Sequence, residues 1–215
     1  MRNLFTNEAI IAKYAETYYK DDIIFVHGEP AEKLYFIHKG RVKAAVYTEN
    51  SEKILDIYVE GDLIGGLDVF YSQTRSFTAI ASSEEKTFLI GLPFDRIDVL
   101  LKTNASLSYQ LMQMTYSNLR RMMIHLEFAG ILDHKMRFLT SIEYLLKYGF
   151  FKRISPTLEE LSNLSNTIIE KNIIIVKELE AYGLVEHFED DRISIKLPEK
   201  LLGYIANYRR VVSRK

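Results

Sequence analysis

Between Pro93 and Gly130 the chain contains neither proline nor glycine. Inside that interval, Ala105 to Ala129 reads as one helix: Thr103 and Asn104 can cap its start and Gly130 can end it. At 1.5 Å rise per residue it would be roughly 37 Å long, enough to reach across a small domain. Met112, Thr115, Leu119, Met122, Leu126 and Ala129 follow one another at alternating steps of three and four. That is an a/d seam, the pattern of a helix that meets another helix along one narrow line. Leu107, Leu111 and Met114 make a second apolar line confined to the first half. The first half is therefore expected to dock on the chain's own N-terminal domain, while the seam meets a second copy. An amphipathic helix packed wholly inside one subunit is the alternative.

The chain is 215 residues long, with 47% hydrophobic and 27% charged residues, a balance that suits one large or two small globular domains. It has no cysteine, which excludes disulfides, thiolate metal sites, cysteine nucleophiles and iron–sulfur clusters. No apolar run approaches a membrane span and Met1 to Ile10 lacks a signal-peptide pattern, so a cytoplasmic protein with no membrane partner is expected. Up to Lys135 there are 15 basic and 18 acidic residues; after it, 13 basic and 11 acidic. The C-terminal part thus leans slightly basic, the direction a nucleic-acid partner favours. His27, His38, His125, His134 and His187 are scattered without metal-ligand spacing. Nucleophile elbows, phosphate loops and suggestive carboxylate pairs are missing as well, so an enzyme is not expected.

Met1 to Tyr19 reads as a short helix. After it come short β-prone runs: Ile23 to Val26, Leu34 to Ile37, Val42 to Tyr47, Ile54 to Val59, Phe77 to Ala81 and Thr87 to Ile90. Turn residues separate them at Gly28, Gly40, Glu49-Asn50-Ser51, Glu60-Gly61-Asp62 and Ser82-Ser83. Short strands so spaced imply an antiparallel barrel or sandwich. Pro93-Phe94-Asp95 then opens a helix to about Leu101.

The C-terminal part changes texture. Asp133 to Lys147 is a helix, and Phe150 to Ile154 a short β-prone link. Pro156 is expected in the first turn of the next helix, with Glu159 and Glu160 complementing its N-terminus. Ser165-Asn166-Thr167 is a turn in which Asn tolerates the left-handed conformation. A second helix runs from Ile168 to about Tyr182 and stops at Gly183. Leu184 to Phe188 and Arg192 to Lys196 form a hairpin around Glu189-Asp190-Asp191, and Leu197 to Val212 a last helix. Helix, turn, helix, hairpin is a winged helix-turn-helix. The outer face of its second helix is expected to present Thr167, Glu170, Lys171, Asn172 and Lys177. Asn172 would pair with adenine, and Lys171 and Lys177 would reach phosphates.

His27-Gly28-Glu29-Pro30-Ala31-Glu32-Lys33-Leu34-Tyr35-Phe36-Ile37, followed by Lys39-Gly40-Arg41-Val42 and Gly61-Asp62-Leu63-Ile64-Gly65, resembles the cyclic-nucleotide-binding β-roll. The order of roll, long helix and helix-turn-helix is similar to the Crp/Fnr family of bacterial transcription factors over nearly the whole chain. The resemblance implies an α+β fold: an antiparallel, jelly-roll-like β-roll sensor over residues 1–104, a dimerisation helix and hinge over 105–132, and a winged helix-turn-helix over 133–215. It implies double-stranded DNA, a second copy and RNA polymerase as partners. It also implies an effector site over Gly65 to Ser76, with Arg75 and Ser76 matching the phosphate-binding pair. Two departures weigh against cyclic AMP. Gly66 stands where the family has a ribose-binding Glu, although Asp68 lies two residues on. Met122 and Met123 stand where a polar pair meets the base, and thioethers are adaptable apolar fillers. The roll is expected to bind another small, anionic molecule or nothing, with no cofactor. The base-reading positions carried over are Ile169, Glu170 and Ile174, where either isoleucine could touch thymine methyls. The acidic hairpin tip keeps a second reading open: a ligand-binding or protein-interaction module whose helix-turn-helix no longer binds DNA.

Overall fold

A computed structural model of the chain describes residues 8–48, 51–66, 68–147 and 155–213. They form two compact units, residues 1–120 and 121–215.

The first unit is a sandwich of two four-stranded antiparallel sheets. Its strands are β1 (Ala15–Tyr18), β2 (Ile23–Phe25), β3 (Lys33–Lys39), β4 (Arg41–Thr48), β5 (Ser51–Val59), β6 (Leu63–Ile64), β7 (Thr78–Ala81) and β8 (Thr87–Pro93). One sheet has the order β1-β8-β3-β6 and the other β2-β7-β4-β5. Strands β3 and β8 explain the layering. Tyr35, Ile37 and Leu89 face the sandwich interior, where they meet Phe25, Val42, Tyr58 and Ile64. The alternate residues, Leu34, Ile90 and Leu92, face the other way, into a second core with Leu63 and Ile97. A period of two places successive side chains on opposite faces, so one sheet serves both cores.

Three helices cover that outer face: α1 (Glu8–Tyr14), α2 (Phe94–Thr103) and the start of α3 (Ala105–Ala129). Leu107 and Leu111 of α3 are buried there, with Met114 partly so. Asn104 Oδ1 accepts from the Leu107 N–H at 3.1 Å, which caps the helix as the sequence suggests. The helix expected over Met1 to Tyr19 is shorter in its described part, because Ala15–Tyr18 pairs with β8 in the register Ala15↔Ile90 to Tyr18↔Thr87. Alternating Glu16 and Tyr18 beside the open edge of β8 favour a strand over another helical turn. Met1 to Asn7, and the turn expected at 49–50, lie outside the described residues.

In the second unit, α4 (His134–Lys147), α5 (Leu158–Ser165), α6 (Ile169–Ala181) and α7 (Pro198–Val212) surround a hairpin of β9 (Val185–His187) and β10 (Ile193–Ile195). Phe138, Leu139 and Ile142 of α4, Leu161 of α5, Val176 and Leu179 of α6 and Ile205 of α7 are buried. Pro156 lies before α5 rather than in its first turn. Thr157 is the N-cap, and it forms a reciprocal capping box with Glu160. The cap explains the shift: the Thr157 hydroxyl accepts from the Glu160 N–H at 3.1 Å, and Glu160 accepts from the Thr157 N–H at 2.9 Å. The link expected at Phe150 to Ile154 lies outside the described residues.

Replacing Leu111 with Ala leaves a hole between α3 and the sheet. Urea denaturation should register a loss of about 2–5 kcal/mol.

Candidate functional site

The segment expected to hold an effector begins at Gly65, whose φ of +69° is left-handed. A Cβ there would sit 2.2 Å from Arg75 Nη1, so glycine is required by both backbone and contact. A short π-helical turn, Asp68–Ser72, follows, and Gln73 at φ +57° redirects the chain. The Arg75 backbone is tied to the turn after β2: its N–H donates to Glu29 O and its carbonyl accepts from Gly28 N–H, both at 2.8 Å.

The Arg75 side chain turns inward and is only 3% exposed. Nη2 donates to Lys33 O at 2.7 Å and Nη1 to Gly65 O at 3.4 Å. The guanidinium lies 4.1 Å from the centre of the Phe25 ring and 5.7 Å from that of Tyr35. Burial lowers its pKa, against the opposing pull of Tyr35 and of the carboxylates of Asp68, Glu29 and Glu32. Among the described residues its Nε finds no acceptor. Gly65, Asp68 and Arg75 are thus brought together, whereas Ser76 is exposed. A Cβ at Gly66 would approach Leu34 Cδ1 and Leu63 Cδ2 to 3.1 Å, so a glutamate there would press on the core. In this arrangement Arg75 spends its Nη donors on backbone carbonyls, and Asp68 rather than residue 66 brings a carboxylate beside it.

Sequence reasoning missed a different concavity. Gly61, Asp62 and Leu63 face Gln113, Met114, Ser117 and Asn118 of α3 around a pocket of 320 Å³. Asn118 Nδ2 donates to Leu63 O at 2.9 Å and pins the helix beside it. The available signal was polar Gln113 and Ser117, one turn apart and next to Met114.

On α3 the seam residues Met112, Leu119, Met122 and Leu126 are exposed, and Leu126 is 75% so. Thr115 is half-buried and Ala129 exposed. Tyr109, Tyr116 and Met123 extend the stripe. Tyr109, Met112, Tyr116, Leu119, Met123 and Leu126 themselves keep the three-four spacing, so the large side chains define a seam displaced slightly from the expected one.

In the second unit, Asn166 occupies the left-handed region (φ 51°, ψ 52°) that the turn between α5 and α6 needs. Asn172 corrects the sequence reading: it is 0% exposed rather than on the outer face. Its Nδ2 donates to Ser162 Oγ at 2.9 Å and Thr167 Oγ1 at 2.8 Å. Its Oδ1 lies 2.9 Å from His134 Nε2, which must therefore carry the proton. This amide joins α4, α5 and α6 and is not available to a base edge. Thr167 is half-buried in the same network. Behind α6, Glu178 accepts from Lys135 Nζ and from the Tyr204 hydroxyl, both at 2.6 Å. Those two bonds hold its carboxyl below the usual range. The face left outward carries Glu170, Lys171, Ile174 and Lys177, with Ile173 at its border and Ile169 half-buried. At the hairpin tip the acids are engaged: Asp190 with Arg192 Nε at 2.6 Å, Asp191 with His187 Nε2 at 2.9 Å.

Two substitutions test these assignments. Arg75→Ala should destabilise the roll by about 2–4 kcal/mol in urea melts, where an exposed anion-site arginine would be near neutral. Glu178 has a depressed folded-state pKa, so its contribution is present above the unfolded value near 4.5 and is lost as pH falls through the lower folded value. Melting temperatures of Glu178→Gln should accordingly fall below wild type at pH 7, with the gap closing towards pH 3.

The cyclic nucleotide-binding domain family matches residues 15–104. The global nitrogen regulator of Synechocystis sp. is 31% identical over 101 residues, 46% of this chain and 44% of that protein. The chain thus matches less than half the length of that relative. The transcriptional activator protein anr of Pseudomonas aeruginosa is 22% identical over 185 residues, 81% of this chain and 74% of that one. Among solved structures, FixK2 from Bradyrhizobium japonicum superposes with a TM-score of 0.73 at 18% identity, covering 88% of this chain and 95% of that one. In the described residues no helix is long and apolar enough to cross a membrane. Sandwich, long helix and winged helix-turn-helix together make the fold of these solved structures, and residues 15–104 match the cyclic nucleotide-binding domain.

Proposed function

We propose that this chain is a cytoplasmic, homodimeric, DNA-binding regulator of transcription whose β-roll responds to a small molecule other than cyclic AMP. The observation that carries the reading is the uncovered outer face of α6 on a complete winged helix-turn-helix. The apolar stripe on α3 supports the dimer, since a run of exposed Met, Leu and Tyr this long marks an interaction surface. Residues 1–104 act as sensor, 105–132 as dimerisation helix and hinge, and 133–215 as the DNA-binding part. RNA polymerase is the further partner the family implies. In the dimer two copies of α6 address half-sites about one helical turn apart, roughly 34 Å.

The inward Arg75, the glycine at position 66 and the thioethers of Met122 and Met123 argue against a cyclic nucleotide. The pocket between Gly61–Leu63 and α3 suits a small polar molecule, and a molecule there touches roll and helix together. Differential binding to two arrangements of that helix shifts their populations and repositions the DNA-reading parts. The second reading, a protein-interaction module, draws support from Asp190 and Asp191 at the hairpin tip.

The full chain should enrich a palindromic duplex from a random pool, more weakly at higher salt, and addition of a metabolite extract should change the yield. Replacing Leu119 and Met122 together with Asp should give monomers in sedimentation and abolish enrichment. An intact dimer in that variant would sink the α3 seam, and enrichment in no condition would favour the interaction module.

A further inference from the structure

The outward face of α6 has an unusual chemistry for a reader of base edges. The buried face is Asn172, Ile175, Val176 and Leu179. Opposite it, Glu170, Ile174 and Lys177 follow at helical spacing, and Ile174 is 68% exposed. Ile173 borders the stripe at 37% exposure, and Ile168 at the N-cap is 53% exposed. α6 contains no arginine, and its one asparagine is locked inward by His134, Ser162 and Thr167. The commonest guanine contact and the bidentate adenine contact are therefore both missing from its centre. What remains there is branched aliphatic surface. In the major groove the complementary apolar group is the C5-methyl of thymine. Glu170, one turn before Ile174, can accept only from an amino group, such as cytosine N4. Lys171 and Lys177 flank the stripe and reach phosphates.

We propose, resting on the DNA-binding reading above, that α6 specifies its operator through thymine methyl groups seated against Ile174 and Ile173, with Glu170 excluding bases that offer only acceptors. The recognised half-site is a thymine pair or run beside a base pair that presents an amino group to Glu170. Discrimination at the central positions is apolar, so it persists as salt rises while total affinity falls.

Deoxyuridine tests this directly, because it keeps every hydrogen-bonding group of thymidine and lacks only the methyl. The full chain selects its duplex from a random pool, with and without metabolite extract, and each half-site thymine is then replaced by uracil in turn. One or two positions should lose about fourfold in affinity, the effect of a buried methyl, and the others nothing. Ile174→Ala, at an exposed position that leaves the fold intact, should bind thymine and uracil duplexes equally at one of those positions. Lys177→Ala should weaken both equally and flatten the salt dependence. A selected duplex indifferent to uracil everywhere, or an Ile174→Ala protein that keeps the full thymine preference, overturns the proposal while leaving DNA binding intact. Enrichment of no duplex in any condition overturns the DNA-binding reading and this proposal with it.

Discussion

Leu107 and Leu111, seated on the outer face of the β1-β8-β3-β6 sheet, are the contact on which the arrangement of the first unit depends. The sheet would otherwise expose Leu34, Ile90 and Leu92, and a sandwich strand cannot turn those residues inward without turning Tyr35, Ile37 and Leu89 outward. Covering that face is thus an obligation of the strand pattern, and α3 meets it with its first two turns. Because a helix has a far side, the same act leaves Tyr109, Met112 and Tyr116 facing away from the sheet. One constraint accounts for both the anchored start of the helix and its uncovered stripe.

Two buried polar side chains do comparable work. Arg75 and Asn172 are the residue types that mark anion and base recognition in a sequence, and both are folded inward. A guanidinium in a core is unfavourable unless its donors are met. Here two backbone carbonyls and the face of Phe25 offset part of the desolvation. Asn172 is better provided, with both amide hydrogens donated and its oxygen accepting from His134. It fixes the rotation of α6 about its own axis, which decides that Ile174 rather than Asn172 points outward.

The fold was legible where periodicity and turn chemistry agree. The bounds of α3, the left-handed Asn166 and the order of the short strands follow from spacing, Gly and Asn alone. Local signals failed where a partner distant in sequence decides. Ala15–Tyr18 is a strand because β8 offers it an edge, and no window around residue 15 contains β8. Pro156 suggested a helix start, but the Thr157–Glu160 box that begins at the next residue fixed it. The site was less legible than the fold for the same reason: whether Arg75 or Asn172 faces solvent depends on Phe25, Lys33 and His134, all remote in sequence. The pocket beside α3 joins residues about fifty positions apart and leaves no motif.

The charge around α6 looks unfavourable for a nucleic-acid surface until its partners are counted in. Glu178 is held by Lys135 and Tyr204, Glu180 accepts from the His187 backbone N–H, Asp190 pairs with Arg192 and Asp191 with His187. Among the described residues no such bond is found for Glu170, which shares the outer face of α6 with Lys171 and Lys177. The surface is then weakly rather than wrongly charged. A single α6 with two lysines gains little from counterion release, and aliphatic contacts with bases are individually small. Such a reader becomes effective when two copies are joined, because the second half-site is then engaged at high effective concentration. The poverty of α6 in cations and the length of the stripe on α3 are on this reading two halves of one solution: weak recognition per subunit makes the joining helix the element on which affinity depends.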